Sequence, residues 1–194
     1  MDQLLEQIRS CNICEKELPL GPRPVVQASA KSELLIIGQA PGSRVHKSGI
    51  PWDDPSGDRL REWLRVDKEN FYDANKIAIV PMGFCYPGKG HSGDNPPRPE
   101  CAPTWHDLLL NEMPSIQLTL LIGQYAQRYY LKEVQSLAGH KTLTERVKNA
   151  DKAPSHLFPL PHPSPRNQIW LKKNPWFEEE TLPLLRNKLA MLKI

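Results

Sequence analysis

Four cysteines, one histidine and a tryptophan–aspartate run carry the groups whose spacing could do chemistry in this 194-residue chain. Cys11 and Cys14 form a C-x2-C pair, and Cys85 and Cys101 stand sixteen apart around a Pro-rich segment. Four thiolates can close a tetrahedral zinc site or a cubane iron–sulfur cluster. A set of unrelated free thiols is the third reading of the same spacing. His162-Pro163-Ser164-Pro165 follows an apolar run, so its imidazole is expected at the end of a strand. The two prolines stiffen the backbone there, and Ser164 with nearby amides can hold a phosphate. A buried structural histidine is the plain alternative. Trp52 follows Pro51 in a polar stretch and offers a stacking surface beside Asp53 and Asp54. Asp54-Pro55-Ser56 also reads as the start of a helix, so at least one aspartate is expected only to cap. Lys89, His91, Arg98, Arg166, Asn167, Lys172 and Lys173 fall on loops and could form a nucleic-acid face. Cys85-Tyr86-Pro87-Gly88-Lys89-Gly90 lacks the spacing and the Lys-Ser/Thr pair of a nucleotide-triphosphate loop, which excludes that class.

The apolar pattern supplies a scaffold for these groups. Leu34-Leu35-Ile36-Ile37 is a continuous apolar run that reads as a fully buried strand, ended by Gly38 and the Pro41-Gly42 turn. Lys76–Met82, Leu118–Gly123 and Leu157–Pro161 are the further strands. Helices are expected over Asp2–Arg9, from Ser56 through Leu64, over Pro103–Met113, Tyr125–Leu131, Leu143–Val147 and Trp176–Leu192. Leu18–Gln27 reads as an extended connector, Ser43–Pro55 as a polar loop and Gly83–Pro99 as a long functional loop. Strands alternating with helices predict an α/β fold, a three-layer α/β/α sandwich on a four-stranded parallel sheet. The chain is expected to form one domain over residues 1–194. Loops at the carboxyl ends of parallel strands are where such sheets build their sites, which brings Gly38–Gly42 and His162 to one edge.

At these residues the chain resembles a known family. Gly38-Gln39-Ala40-Pro41-Gly42 with His162-Pro163-Ser164-Pro165 resembles the two active-site motifs of the uracil-DNA glycosylase superfamily. Gly49-Ile50-Pro51-Trp52 and Ser56-Gly57-Asp58-Arg59-Leu60 keep the register of two further motifs of its iron–sulfur branch. The cysteine spacing is similar to that branch too. The resemblance runs from about residue 11 to residue 167. It implies hydrolysis of the N-glycosidic bond of uracil or a related deaminated base in DNA, in base excision repair. It also implies a four-iron, four-sulfur cluster on Cys11, Cys14, Cys85 and Cys101, with zinc as the alternative. His162 would donate a hydrogen bond to the uracil O2, and Trp52 would stack on the ring. Gln39 and Ala40 would line the pocket with Pro41 and Gly42, and help place the attacking water. Pro163 and Ser164 would pinch the DNA backbone, and Arg166, with Asn167 and Lys89 nearby, would meet the duplex.

The chain departs from the family at its acids. Gln39 stands where the iron–sulfur branch has glutamate, Val45 and His46 where acidic residues follow, and Pro81 where an asparagine reads uracil. Asp53 or His46 is therefore expected to hold the water, and backbone groups near Met82 and Gly83 to read the base edge. Weak activity, a different lesion base or a non-catalytic DNA-binding role are the outcomes these departures imply.

Composition excludes less than the motifs do. A net charge of +3 does not itself demand a nucleic-acid partner. No run approaches a membrane span and the amino terminus does not read as a signal peptide, so a cytoplasmic monomer is expected.

Overall fold

The computed structural model describes residues 1–91, 93–192 and 194. Among these, four strands form one all-parallel sheet in the order β2-β1-β3-β4. They are β1 (Leu34–Ile37), β2 (Ile77–Ile79), β3 (Leu118–Ile122) and β4 (Leu157–Leu160). β1 pairs with β2 from Leu34↔Ile77 and with β3 from Leu34↔Leu118. β3 pairs with β4 from Thr119↔Leu157. The expected three-layer α/β/α architecture is therefore the observed one.

Alternation along the strands explains the layers, because successive side chains point to opposite faces. Leu34 and Ile36 enter one core with Ile77, Ile79, Leu120, Phe158 and Leu160. Leu35 and Ile37 enter the other with Ala78 and Leu121. The first core is covered by α3 (Pro55–Leu64), α4 (Lys68–Tyr72), α7 (Leu143–Lys148) and α9 (Leu182–Leu189), through Leu60, Trp63, Phe71, Val147 and Leu185. The second is covered by α1 (Asp2–Arg9), α5 (Cys101–Asn111) and α6 (Gly123–Tyr130), through Leu5, Ile8, Leu109 and Ala126. Each fully buried Leu, Ile or Phe contributes about 1.5–3 kcal/mol relative to exposure. No described helix is long and apolar enough to cross a membrane.

Both sheet edges are managed. Pro159 lies in β4, which pairs on one side only, so a missing N–H is tolerated there. The free side of β2 is covered by the amino-terminal connector. Gln27 and Ile79 exchange backbone hydrogen bonds of 3.0 and 2.7 Å in an antiparallel bridge. The Gln27 side-chain amide also donates to the Ile77 carbonyl at 2.7 Å.

Three short helices depart from the sequence expectation. Ser43–Ser48, read as loop, is α2, ended by Gly49 at φ 76°. α4 and α8 (Gln168–Lys173) were not expected. α2 and α4 each bury one side chain and α8 none, so no apolar stripe marks them. α3 starts at Pro55 with Asp54 as the cap, and Ser56 is buried inside its first turn. The terminal helix is not continuous: a π-helical turn spans Phe177–Thr181 before α9. Pro183 has no N–H to donate back one turn, which breaks the regular ladder at that junction.

Candidate active site

The sheet order places a topological switch between β1 and β3, since the chain leaves β1 for one edge and returns to the other. Ligand crevices form at such a point, outside the carboxyl ends of the strands. A narrow cleft opens there, with about 420 Å3 of non-protein space once its open mouth is included. It is lined by Gly38, Gln39, Ala40, Pro41 and Gly42 from the loop after β1, and by Trp52, Asp54, Pro81 and His162.

The loop after β1 is held by its neighbour. Met82 N–H donates to the Gly38 carbonyl at 2.9 Å, and Gly83 N–H to the Gln39 carbonyl at 3.0 Å. These amides thus hold the motif in place, and Met82 and Gly83 do not line the cleft; Pro81 does. The Gln39 side-chain amide donates to the Asn95 carbonyl at 3.2 Å. Asn95 in turn is tied back to the start of the long loop that carries it, its N–H donating to the Gly88 carbonyl and its side-chain amide to the Pro87 carbonyl. Gln39 is therefore a strut between the cleft and the long loop.

Trp52 reaches the cleft through two glycines. A Cβ on Gly38 would stand 2.9 Å from the indole Cζ2, so the ring lies directly over the end of β1. A Cβ on Gly57 would stand 1.8 Å from the Trp52 carbonyl oxygen. Trp52 itself has φ 56°, a left-handed conformation that is strained for a bulky residue and that clusters at functional sites. The Trp52 and His162 rings face each other with centroids 5.5 Å apart and planes at 35°.

His162 sits on the turn after β4. Gln127 fixes that strand end: its fully buried side-chain amide donates to the Leu160 carbonyl at 2.9 Å and to the Leu121 carbonyl at 3.3 Å. Its oxygen accepts from Arg146 Nε at 3.0 Å. Asn167 donates to the His162 carbonyl at 2.6 Å, and Arg59 to the Ser164 carbonyl at 3.2 Å. The Ser164 hydroxyl accepts from the Arg166 N–H at 3.2 Å, capping the turn that follows. Burial lowers the His162 pKa below its ordinary value of 6.5, against a smaller upward pull from Asp54. The imidazole is therefore neutral at physiological pH and can donate or accept one hydrogen bond.

Two acidic groups face this ring and its mouth. Asp54 caps α3, its carboxylate accepting from the Gly57 N–H at 2.8 Å; the residue is part of the cleft lining, and its charge acts on His162. A Cβ on Gly42 would stand 3.5 Å from an Asp94 carboxylate oxygen. Burial raises the Asp94 pKa, opposed by Arg166 and Lys89 and assisted by Asp54. Asp53 instead lines a separate depression with Gln27, Lys68 and Tyr72. His46, on α2, is absent from the cleft lining and its ring stands 6.1 Å from Tyr86. Its pKa is lowered by burial first and by Arg23 second. Sequence reasoning had Asp54 as a helix cap; the Trp-Asp-Asp-Pro run holds no signal that the same residue lines the cleft. Asp94 carried no motif at all. Lys89 lies exposed, paired with Asp94 in an antiparallel bridge. Arg166 is exposed on the turn after His162, and its guanidinium would stand 3.1 Å from a Cβ on Gly93.

The four cysteines are free thiols, three of them buried. They are near enough to act on one another electrostatically, Cys11, Cys14 and Cys101 all raising the Cys85 pKa. Burial is the larger cause and pushes Cys85 to about 12 and Cys101 to about 11. Cys14 and Cys85 pack with Leu18, and the Phe84 N–H donates to Cys101 Sγ at 3.4 Å. Among the described residues no three His, Cys, Asp or Glu side chains close around a single ion-sized point.

Compared with known families, residues 25–186 match the profile of the uracil DNA glycosylase superfamily. That span runs from the connector through the whole sheet into α9, and includes every residue named above as lining the cleft. With the parallel sheet, the switch-point cleft and the facing Trp52 and His162 in hand, the chain belongs to the uracil DNA glycosylase superfamily.

Proposed function

We propose that the protein is a DNA glycosylase that excises uracil or a related deaminated base. The observation that carries this reading is the convergence of Trp52, His162 and Asp54 on one cleft at the switch point of the sheet. A base inside a duplex cannot reach such a cleft, so the target nucleotide is extruded into it. Trp52 stacks on the ring. The C1′–N bond then breaks, leaving positive charge on the sugar and negative charge on the base. Neutral His162 donates a hydrogen bond to the base oxygen as that charge grows, a fixed donor in a water-poor site. Asp54 holds the water whose oxygen bonds to C1′ and whose proton passes toward the departing base. Its carboxylate also faces the positive sugar. Asp54 is preferred over Asp53 and His46 because it lines the cleft and they do not. Pro163, Ser164, Arg166, Asn167 and Lys89 meet the DNA around the mouth.

The iron–sulfur branch is the subgroup this reading favours. Cys11, Cys14, Cys85 and Cys101 would hold a 4Fe–4S cluster, which joins the amino-terminal segment to both ends of the long loop. What supports this reading is that the four thiols are free and near enough to act on one another, as the ligands of one group must be. Bound there, the group supplies cross-linking and no step of the hydrolysis. Iron and sulfide analysis of anaerobically purified protein tests this; stoichiometric zinc without iron would refute it.

Incubation with labelled oligonucleotides carrying uracil, hypoxanthine or xanthine, followed by alkali, tests the activity. Strand breaks at one or more of these bases are expected. Tight binding without any break, at enzyme excess, would favour a non-catalytic DNA-binding protein. That alternative draws on Gln39, which replaces an acid and serves as a strut to Asn95.

A further inference from the structure

We propose that the groove between residues 96–103 and α6 is a second DNA subsite, which takes an unpaired stretch of strand beside the target nucleotide. The proposal rests on the reading above only for which edge of the sheet faces DNA. The groove is open to solvent, spans about 1010 Å3 of non-protein space with its mouth included, and is walled by Pro96, Pro97, Pro99, Pro103, Tyr125 and Tyr129. Its charged lining is Arg98, Arg128 and Lys132, with no carboxylate among the described lining residues.

Position ties the groove to the cleft. Pro81 lines the cleft and Met82, the next residue, lines the groove. Tyr125 lies in the first turn of α6, directly after the carboxyl end of β3. The two sites therefore open at the same edge of the sheet, back to back across the strand of chain that follows β2.

The chemistry fits bases and phosphates. Tyr125, Arg128 and Tyr129 stand three and four apart on α6 and Lys132 lies in the turn just beyond it, so rings and cations line the same groove. Tyr129 is 36% exposed, yet its ring is braced. It meets Tyr130 at 5.0 Å and His106 at 6.3 Å, both edge-on. Tyr130 Oη contacts His106 Nδ1 at 2.5 Å, and His106 Nε2 contacts the Pro81 carbonyl at 3.0 Å. A pre-set exposed ring is a stacking platform that any base can use. Arg98 is tied to Glu100 and Glu17, but neither Arg128 nor Lys132 makes an ion pair among the described residues. Two unpaired cations beside two rings favour a polyanion over a neutral proline-rich peptide, the other ligand that suits aromatic grooves.

Fluorescence anisotropy with labelled oligothymidylate of about eight nucleotides, which carries no uracil, tests the subsite. Tyr129→Ala should weaken binding about tenfold and Tyr129→Phe should not, because stacking needs the ring and not the hydroxyl. Arg128→Gln with Lys132→Gln should reduce the salt slope by about 1.4, roughly 0.7 for each lost phosphate contact. A merely structural change would leave that slope unmoved. The unfolding midpoint should be unchanged in Tyr129→Phe and in the double Gln variant, since all three side chains are exposed. Binding and salt slope equal to wild type in all variants would overturn the subsite. So would a labelled polyproline peptide that binds through Tyr129 and is not displaced by oligothymidylate. If wild type excises nothing yet shows Tyr129-dependent, salt-sensitive oligothymidylate binding, the glycosylase reading fails and the subsite stands.

Discussion

The carbonyl oxygen of Trp52 lies where a Cβ on Gly57 would be, 1.8 Å from that position. The first turn of α3 is thus packed against the backbone that presents the indole. A methyl at Gly57 meets backbone, which cannot swing aside. A methyl at Gly38 meets the far edge of a side chain at 2.9 Å. Gly57→Ala should therefore lower stability by about 1–3 kcal/mol in urea unfolding. Gly38→Ala should lose less stability and, by tilting the indole, more excision. Equal stability losses in the two variants would contradict this packing.

Asp54 both caps α3 and lines the cleft, and the two roles separate by substitution. Asparagine caps as well as aspartate, so Asp54→Asn should keep the unfolding midpoint. Excision should fall about a hundredfold or more, the scale of a positioned acid–base group. Asp53→Asn should leave excision unchanged. Loss of activity in Asp53→Asn with full activity in Asp54→Asn would return the water to the neighbouring aspartate.

Gln127 joins the ends of β3 and β4 and is joined to Arg146. Gln127→Leu keeps the volume but strands a guanidinium N–H and a strand carbonyl. It should cost about 1–3 kcal/mol in denaturant unfolding. Because β4 leads directly to His162, excision by the remaining folded protein should fall as well. Stability equal to wild type would show that water replaces the amide.

Three histidines with lowered pKa values set an acid limit. His162, His46 and His106 all have pKa values lowered chiefly by burial, below the ordinary 6.5. Above 6.5 neither folded nor unfolded chain protonates them, so their contribution is fully present. Below it, the unfolded chain takes up protons that the folded chain refuses, and stability falls until the folded values are passed. The urea midpoint should drop between about pH 7 and pH 5.5, and His162→Asn should flatten that drop. A midpoint that rises on acidification would contradict the lowering of these values.

Much of the fold was legible because its signals are long and periodic. The run Leu34–Ile37 reads as a two-sided buried strand, and each of its side chains is fully buried. The six-residue α7 was legible at Leu143–Val147, whereas α2, α4 and α8 were not: α8 buries nothing, so no periodicity records it. At the site, Trp52, His162 and the Gly38–Gly42 loop could be placed together because motif and strand end coincide. Asp94 could not, since it comes near Gly42 from a position more than fifty residues later in a loop whose path no periodic pattern records. Nor could Met82 and Gly83 be seen as supports, because their amides are spent on pairing with residues forty-four positions earlier.

The most direct measurement is single-turnover release of free base from a duplex with one deaminated base. Wild type, His162→Ala and Asp54→Asn would be compared side by side, with abasic sites counted in the same samples. The account predicts free base and abasic sites in equal amounts from wild type, none from His162→Ala and slow release from Asp54→Asn. No free base from wild type at enzyme excess, or release by His162→Ala at the wild-type rate, would contradict it.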